Sequence, residues 1–465
     1  MASPALLSTI EANLKKWYYG KVIETINQEA RVYEFAKKGR FSWSGQDWNF
    51  SLHTSRGSAG TAGLFTAPAA YGWVAENGAL PEAGHQGYVR LTGTTKSVYG
   101  RMQLSGQSIR AAQGQPGAIV PTLASEIEGA TKDVVFSLNT GAVYGAQVPG
   151  FIFERKAVGA GGGDWQFSGN YLPFVQALAL AAGGGTVKVD VYNLDTYALV
   201  GAGNVILTAA TENSIHLTGV ALDTSAVTKP GVCFGVRIVE VKTVGGAVDY
   251  LPVFQAQMNG IYSNLVDTGA HTTGVDLAHY AGGNFTNLRK TTGGNERLQS
   301  NIRCQVTSTK AGDYLYADLT AGRLSDMQAM IDEQSGKQAD ALMIHPSSLT
   351  SYQNILYGTF GSNLIKDVSQ AGVGDAGFDR TKLAFGGVKF ITSKDMGKGV
   401  IAFLCSESWK LASLKEPSMA DEDGKILFKV SGKDVYEGFI NAYMELVCIE
   451  PRANAILVGF NYTSL

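Results

Sequence analysis

The sequence is short of charge. Asp, Glu, Lys and Arg make up only 17% of its 465 residues, and the net charge is −2. An ordinary soluble domain carries about a quarter. A free-standing nucleic-acid binder concentrates Lys and Arg in a basic patch, and nothing here supplies one. Cysteine is scarce as well. Cys233, Cys304, Cys405 and Cys448 lie far apart, with no CxxC pair and no metal-ligand spacing. They are expected as buried free thiols, as a reducing cytosol allows. No apolar run approaches the roughly 18 residues a membrane span needs. The nearest, "PFVQALALAAGGG", is too short. The opening stretch "MASPALLSTIEANLKKWYYGK" has no basic segment ahead of a long apolar run, so it does not read as a signal peptide. The sequons at Asn49, Asn284 and Asn461 are then expected as chance matches.

Motifs that carry chemistry are missing too. The glycine runs "GAGGGD" (159–164) and "AAGGG" (181–185) lack the GxxxxGK[ST] pattern and are expected as loops. In "SGKDV", Asp434 stands after Lys433 where a magnesium-binding hydroxyl would be needed. The histidines at 53, 85, 216, 271, 279 and 345 form no HExxH and no Cys/His cluster. His271, Asp276 and His279 share a Gly-rich stretch but not a ligand spacing, and His345 before Pro346 is expected to be structural. "DEDG" (421–424) lacks the later acids of a calcium loop. There is no GxSxG elbow. The expectation is therefore no catalytic residues, no cofactor site and no metal site.

Glycine, by contrast, is abundant, at 57 residues. Ten of these fall between 51 and 106, where strand-like pieces "FSWSGQDWNFSLH" and "YVRLTGTTKSVYGRMQLSG" flank a Gly/Pro/Ala-rich stretch. Val98, Gly100, Met102 and Leu104 alternate with Tyr99, Arg101 and Gln103, the period of a half-buried strand. The whole resembles a long two-stranded ribbon. Such a ribbon is barely stable alone in water, so cover from a partner subunit is expected. Residues 4–38 show two amphipathic helical stripes, read as an arm.

The best helix signal follows the ribbon, over 117–140. Pro121 suits the first turn, and Val120, Leu123, Ile127, Ala130, Val134 and Leu138 form one stripe. Glu128 and Lys132 pair at i,i+4 on the other side, and Gly141 and Gly145 punctuate the end. From 150 to 265 short alternating stretches such as "GTVKVDVYNLD" and "GVCFGVRIVEV" predict a separate small β-barrel or sandwich. Residues 318–412 alternate types, with a helix over "LTAGRLSDMQAMIDEQSGK", a buried strand "ADALMIHP", a short helix "SSLTSYQNILYG" and a pair of strands to 410. Two more strands, "YMELVCIEP" and "NAILVGF", bracket a turn at Pro451-Arg452.

In that order the pieces resemble the major capsid protein of tailed double-stranded-DNA phages, the Hong Kong 97 fold. "ENGALPEAGHQGYVRLTGTTKSVYGRMQLSGQSIRAA" is similar to the second half of the family's extended loop. "GAIVPTLASEIEGATKDVVFSLNTGAVYG" is similar to its spine helix, and "QMNGIYSNL" to the return segment. "DMQAMIDEQ" through "ADALMIHPSSLTSYQNIL" resembles the axial domain, and "KVSGKDVYEGFINAYMELVCIEPRANAILVGF" the final peripheral strands. The resemblance implies an α+β chain with an N-terminal arm at 1–50, an extended loop at 51–105 and a peripheral domain with the spine helix at 106–149. It continues as an inserted β-rich domain at 150–256, an axial domain at 257–412 and C-terminal peripheral strands at 413–465. The implied partners are copies of itself in pentamers and hexamers, with scaffolding, portal and decoration proteins, and packaged double-stranded DNA held by weak non-specific contact. No membrane partner is implied. The implied place is the virion shell, assembled in the host cytoplasm, and the implied chain is not an enzyme. The inserted domain is expected on the shell exterior. Some 50 residues precede the ribbon, so no long internal scaffold domain is expected. Lys96 and several asparagines could in name supply Lys–Asn cross-links, but none is predicted. The alternatives weighed are an encapsulin-like compartment shell and a secreted β-rich adhesin or tail-fibre module.

Overall fold

A computed structural model describes residues 30–45, 47–55, 76–78, 87–107, 122–145, 150–159, 162–193, 198–199, 205–211, 214–219, 234–246, 257–266, 301–304, 318–356, 383–421 and 427–460. The arm signal before residue 30, Val120, Pro121, His85, His271, Asp276, His279, Cys233, Asn284 and Asn461 lie outside them.

The chain is a mixed α+β protein. Helix α1 (Arg31–Lys37) leads into strands β1 (Arg40–Ser42), β2 (Trp48–Ser55), β3 (Gly87–Gly93) and β4 (Lys96–Ser105). Helix α2 (Thr122–Tyr144) follows. Then come β5 (Gly150–Gly159), β6 (Gly162–Gly169), α3 (Leu172–Leu180), β7 (Thr186–Asn193), β8 (Ala198–Leu199), β9 (Val205–Ala210), β10 (Ser214–Thr218) and β11 (Phe234–Lys242). Helix α4 (Ile261–Val266), β12 (Asn301–Cys304), α5 (Ala321–Ser335), β13 (Ala341–Ile344) and a helical segment α6 (346–356) come next. The remainder is β14 (Ala384–Phe385), β15 (Val388–Thr392), β16 (Val400–Leu404), β17 (Trp409–Met419), β18 (Phe428–Lys429), β19 (Val435–Cys448) and β20 (Ala455–Val458).

Two compact units are present, one of 1–28, 99–135 and 417–441, the other of 29–98, 136–416 and 442–465. In the first, β19 pairs with β18 and β4. Met102 and Leu104 of β4 are buried while Arg101, Gln103 and Ser105 face out, the alternation the sequence predicts. Gly438 lets the ladder close over Met102, because a Cβ there would come within 2.8 Å of the Met102 methyl. On the outer side Arg101 and Gln103 both donate to Glu437, at 2.5 Å and 3.1 Å. Within α2, Lys132 meets Glu128 at 3.0 Å, the expected i,i+4 pair.

The second unit holds a β-barrel and a six-stranded sheet. In the barrel, the order β11-β5-β6-β10-β9-β7-β8 is supplemented by a β11–β7 pairing. The ring therefore closes and β8 hangs outside it on β7. Every described pairing in it is antiparallel. Val187, Val189 and Val191 point inward from β7 against Ile152, Trp165, Phe167, Leu207, Leu217 and Val236. Closure removes free strand edges. The sequence reading has no helix in this region. The structure corrects that: α3 packs Phe174 and Ala177 into the barrel core, Phe174 edge-on to Phe167 with ring centroids 5.1 Å apart. The run at 159–164 is corrected too. Gly159 ends β5 and Gly162-Gly163-Asp164 open β6, paired Gly159 to Gly162 rather than looping free.

The six-stranded sheet runs β12-β20-β16-β13-β15-β14. β15 and β16 do not pair with each other as a hairpin; both flank the fully buried β13, one parallel and one antiparallel. α5 covers the sheet with Leu324, Met327 and Ile331. Thr320 caps its start by accepting from the Arg323 N–H, and Gly336 ends it at φ +67°, a conformation that costs a glycine little. The segment 413–465, read as one set of final strands, is divided by the structure. β19 lies beside β17, whereas β20 joins β12 and β16. The short 3₁₀ turn Pro451–Ala453 re-aims the chain between them. Asn454 fastens that turn: its side chain accepts from the Cys405 N–H at 3.0 Å and the Trp409 indole at 2.9 Å and donates to the Glu450 carbonyl.

Helix α2 begins at Thr122 among the described residues and runs to Tyr144, four residues past the expected end. Gly141 is inside it, and Gly145, at φ +55°, terminates it. The termination is tight, since a Cβ on Gly145 would lie 2.9 Å from the Ser263 hydroxyl and 3.0 Å from the Gly260 nitrogen.

Candidate assembly surfaces

β2 and β3 form a two-stranded antiparallel ribbon, in register from Trp48 opposite Gly93 to His53 opposite Tyr88. Alternation sends Trp48, Phe50 and Leu52 to one face and Asn49, Ser51 and His53 to the other. The apolar face is seated at its base on the ribbon's own chain, against Ala412, Val447, Phe41, Trp43 and Ile449. Phe41, Trp48 and Phe50 stack there with centroids 5.1 to 6.4 Å apart. This corrects the expectation that the whole ribbon lacks cover. Its root is buried intramolecularly because Gly93 leaves the space that the Trp48 indole fills.

The opposite face, which carries His53, is exposed at Tyr88. Tyr88 is 67% exposed although its ring packs at 5.1 Å on His53. Among the described residues each ribbon strand pairs only with the other. A second exposed apolar group lies on the barrel. Leu172 (49%), Val175 and Leu180 face out from α3, with Val244 (55%) in the turn after β11.

The barrel is held to the rest of its unit by close backbone contact. The Ser168 hydroxyl donates to the Lys398 carbonyl. Gly397 lies so near Gly169 that a Cβ on it would sit 3.0 Å from the Gly169 Cα. Tyr262 packs edge-on to Phe151 with ring centroids 4.9 Å apart, and its hydroxyl accepts from the Gly397 N–H at 3.2 Å. Burial pushes the Tyr262 phenol well above its ordinary value. On the barrel's outer face Glu240 takes Lys188 at 2.9 Å and Lys242 at 3.0 Å. Burial raises the Glu240 carboxyl, but the two ammonium groups outweigh it and hold it below the usual range.

The residues considered for chemistry are dispersed. His216 pairs with Asp164 across β10 and β6. His345 accepts from the Ser347 N–H at 3.1 Å and caps the start of α6. Lys433 and Asp434 sit in the turn before β19, where the Asp434 carbonyl takes the Gly106 N–H at 2.9 Å. Of "DEDG" only Asp421 is described. Gly183 and Gly184 occupy the turn after α3. Cys405 and Cys448 are buried thiols that form no disulfide, and burial raises the Cys405 thiol. Among the described residues no three His, Cys, Asp or Glu side chains group as metal ligands, and no helix is long and apolar enough to cross a membrane.

No protein-family model matches the chain. No curated protein matches it either. Solved capsid structures do align along almost its whole length. The cyanophage A-1(L) capsid asymmetric unit is 10% identical, with 96% of this chain and 97% of that one covered and a TM-score of 0.48. The capsid of the native GTA particle computed with C5 symmetry is 8% identical over 99% and 100%, at 0.47. The capsid of Myoviridae phage XM1 is 9% identical over 99% and 100%, at 0.40.

Proposed function

We propose that the chain is the major capsid protein of a tailed double-stranded-DNA phage, building an icosahedral shell from pentamers and hexamers of itself. One observation carries the reading: a two-stranded ribbon anchored at its root by Trp48, with Tyr88 exposed and, among the described residues, each strand paired only with the other. A strand pair of this kind gains stability when another chain covers it. The order of ribbon, long helix, inserted barrel and α/β sheet supports it further, in the Hong Kong 97 arrangement that the sequence resembles. In that arrangement residues 1–50 are the arm, 51–105 the extended loop, 106–149 the spine, 150–256 an exterior domain, 257–412 the axial domain and 413–465 the closing strands. Such subunit contacts are heterologous, and small changes in angle between identical patches decide whether they close.

The net charge of −2 suits a container that holds DNA by weak non-specific contact, since each neutralised phosphate would add affinity. Scaffolding, portal and decoration proteins are the further partners this role implies. Negative-stain microscopy of the purified protein tests the reading. Closed shells or isolated five- and six-fold rings support it; a field of single globules at high protein concentration overturns it.

A further inference from the structure

The end of α2, the start of α4 and strand β19 meet in a joint without slack. Gly260 lies against the Gly141 carbonyl and the Tyr144 nitrogen so closely that no side chain fits. The Asn264 carboxamide donates to the Leu446 carbonyl at 3.0 Å and accepts from the Cys448 N–H at 3.3 Å, stitching α4 along β19. Between these contacts stands a carboxyl side chain. Glu445 is fully buried, and its Oε1 accepts from the Asn259 N–H at 2.7 Å. A glutamine could accept that bond without any charge to bury. Placing an ionisable group there couples the joint to protons.

We propose that Glu445 is a protonation latch: its neutral carboxyl holds the 257–266 segment on β19, and loss of its proton to solvent releases that segment. The proposal is independent of the capsid reading. Burial pushes the carboxyl up to about 8, opposed by the Asn259 N–H, the Lys96 ammonium on β4 and the Leu446 N–H. The α2 and α4 sides add the phenols of Tyr144 and Tyr262, 5.3 Å apart, which burial keeps neutral across this range. Farther along, Asp395 is also raised by burial, and its neighbour Lys394 lies over the Phe136 ring at 4.1 Å. Lys96 is thus the cation that favours the charged form of Glu445. The sign follows from linkage. A carboxyl raised in the closed state stabilises closure fully below its free value of 4.5 and loses that contribution as pH climbs through about 8.

Hydrogen exchange of the full-length protein between pH 5 and 9, corrected for the chemical rate, tests the latch. The amides of 259–266 and 445–448 are expected to open about tenfold more per pH unit up to roughly pH 8 and to level off above it. The amides of β16 should keep their protection over the same range. Glu445→Gln should flatten the profile. Lys96→Met, which leaves the carboxyl in place, should move the plateau to higher pH and decides the matter should the glutamine variant not fold. A profile in Lys96→Met identical to the parent, a glutamine variant that folds yet keeps the pH response, or parallel loss of protection in β16 would each overturn the proposal.

Discussion

Asn139, buried in helix α2, donates from its side-chain nitrogen to the Asp395 carboxylate while its oxygen accepts from the start of α1. That oxygen takes the Val32 and Tyr33 N–H groups, both at 3.0 Å. Ala30, at the head of α1, makes no side-chain cap of its own. One carboxamide therefore supplies the missing cap and ties the segment around residue 31 to the long helix. Arg31 adds a second tie, donating to the Thr392 hydroxyl at 2.6 Å.

Asn139→Ala should cost about 1–3 kcal/mol, the usual penalty for orphaning buried donors. Urea denaturation measures it. Asn139→Asp should be worse at neutral pH than at pH 4, because it sets a second carboxylate against Asp395, whose own carboxyl burial already raises.

The root of the ribbon offers a packing test. Trp48→Ala should lose about 3–5 kcal/mol. Gly93→Ala should also destabilise, by about 1–3 kcal/mol, because the new methyl overlaps the Trp48 indole. Equal stability of Gly93→Ala and the parent in the same denaturation experiment would contradict the stacking described here.

How much of this was legible beforehand depends on the range of the interaction. The α2 stripe through Val134 and Leu138, the β4 alternation through Met102 and Leu104, and the helical signal of α5 are local patterns that a linear reading captures. Barrel closure is not local. It depends on β7 meeting β11, with Asp190 opposite Arg237, across more than forty intervening residues. The destination of β20 is equally non-local, because nothing in "NAILVGF" distinguishes β19 from β16 as its neighbour. The ribbon was legible as two strands, but the Trp48–Ala412–Val447 cluster that roots it was not.

The ionic ladder at the barrel seam carries a pH signature. Because Lys188 and Lys242 depress the Glu240 carboxyl, its contribution is present above about pH 4.5 and is lost as pH falls through the lower folded value. Hydrogen exchange in β7 and β11 should accelerate on acidification in the parent and change much less in Glu240→Gln.

At the end of α2, Gly145→Ala should destabilise by more than about 1 kcal/mol, since it meets both a left-handed backbone and the Ser263 hydroxyl. Gly129→Ala, in the same helix with open space around it, should be neutral or stabilising by up to about 1 kcal/mol. Thermal unfolding of the pair separates the two effects.

The central claim is that copies of this chain complete one another at the ribbon. A photo-crosslinking side chain in place of Tyr88, irradiated in the concentrated native protein and analysed by denaturing electrophoresis and peptide mapping, tests it most directly. Bonds joining residue 88 to a second copy, in a ladder of multimers that appears only on irradiation, are predicted. Bonds confined to residue 88's own chain would contradict it.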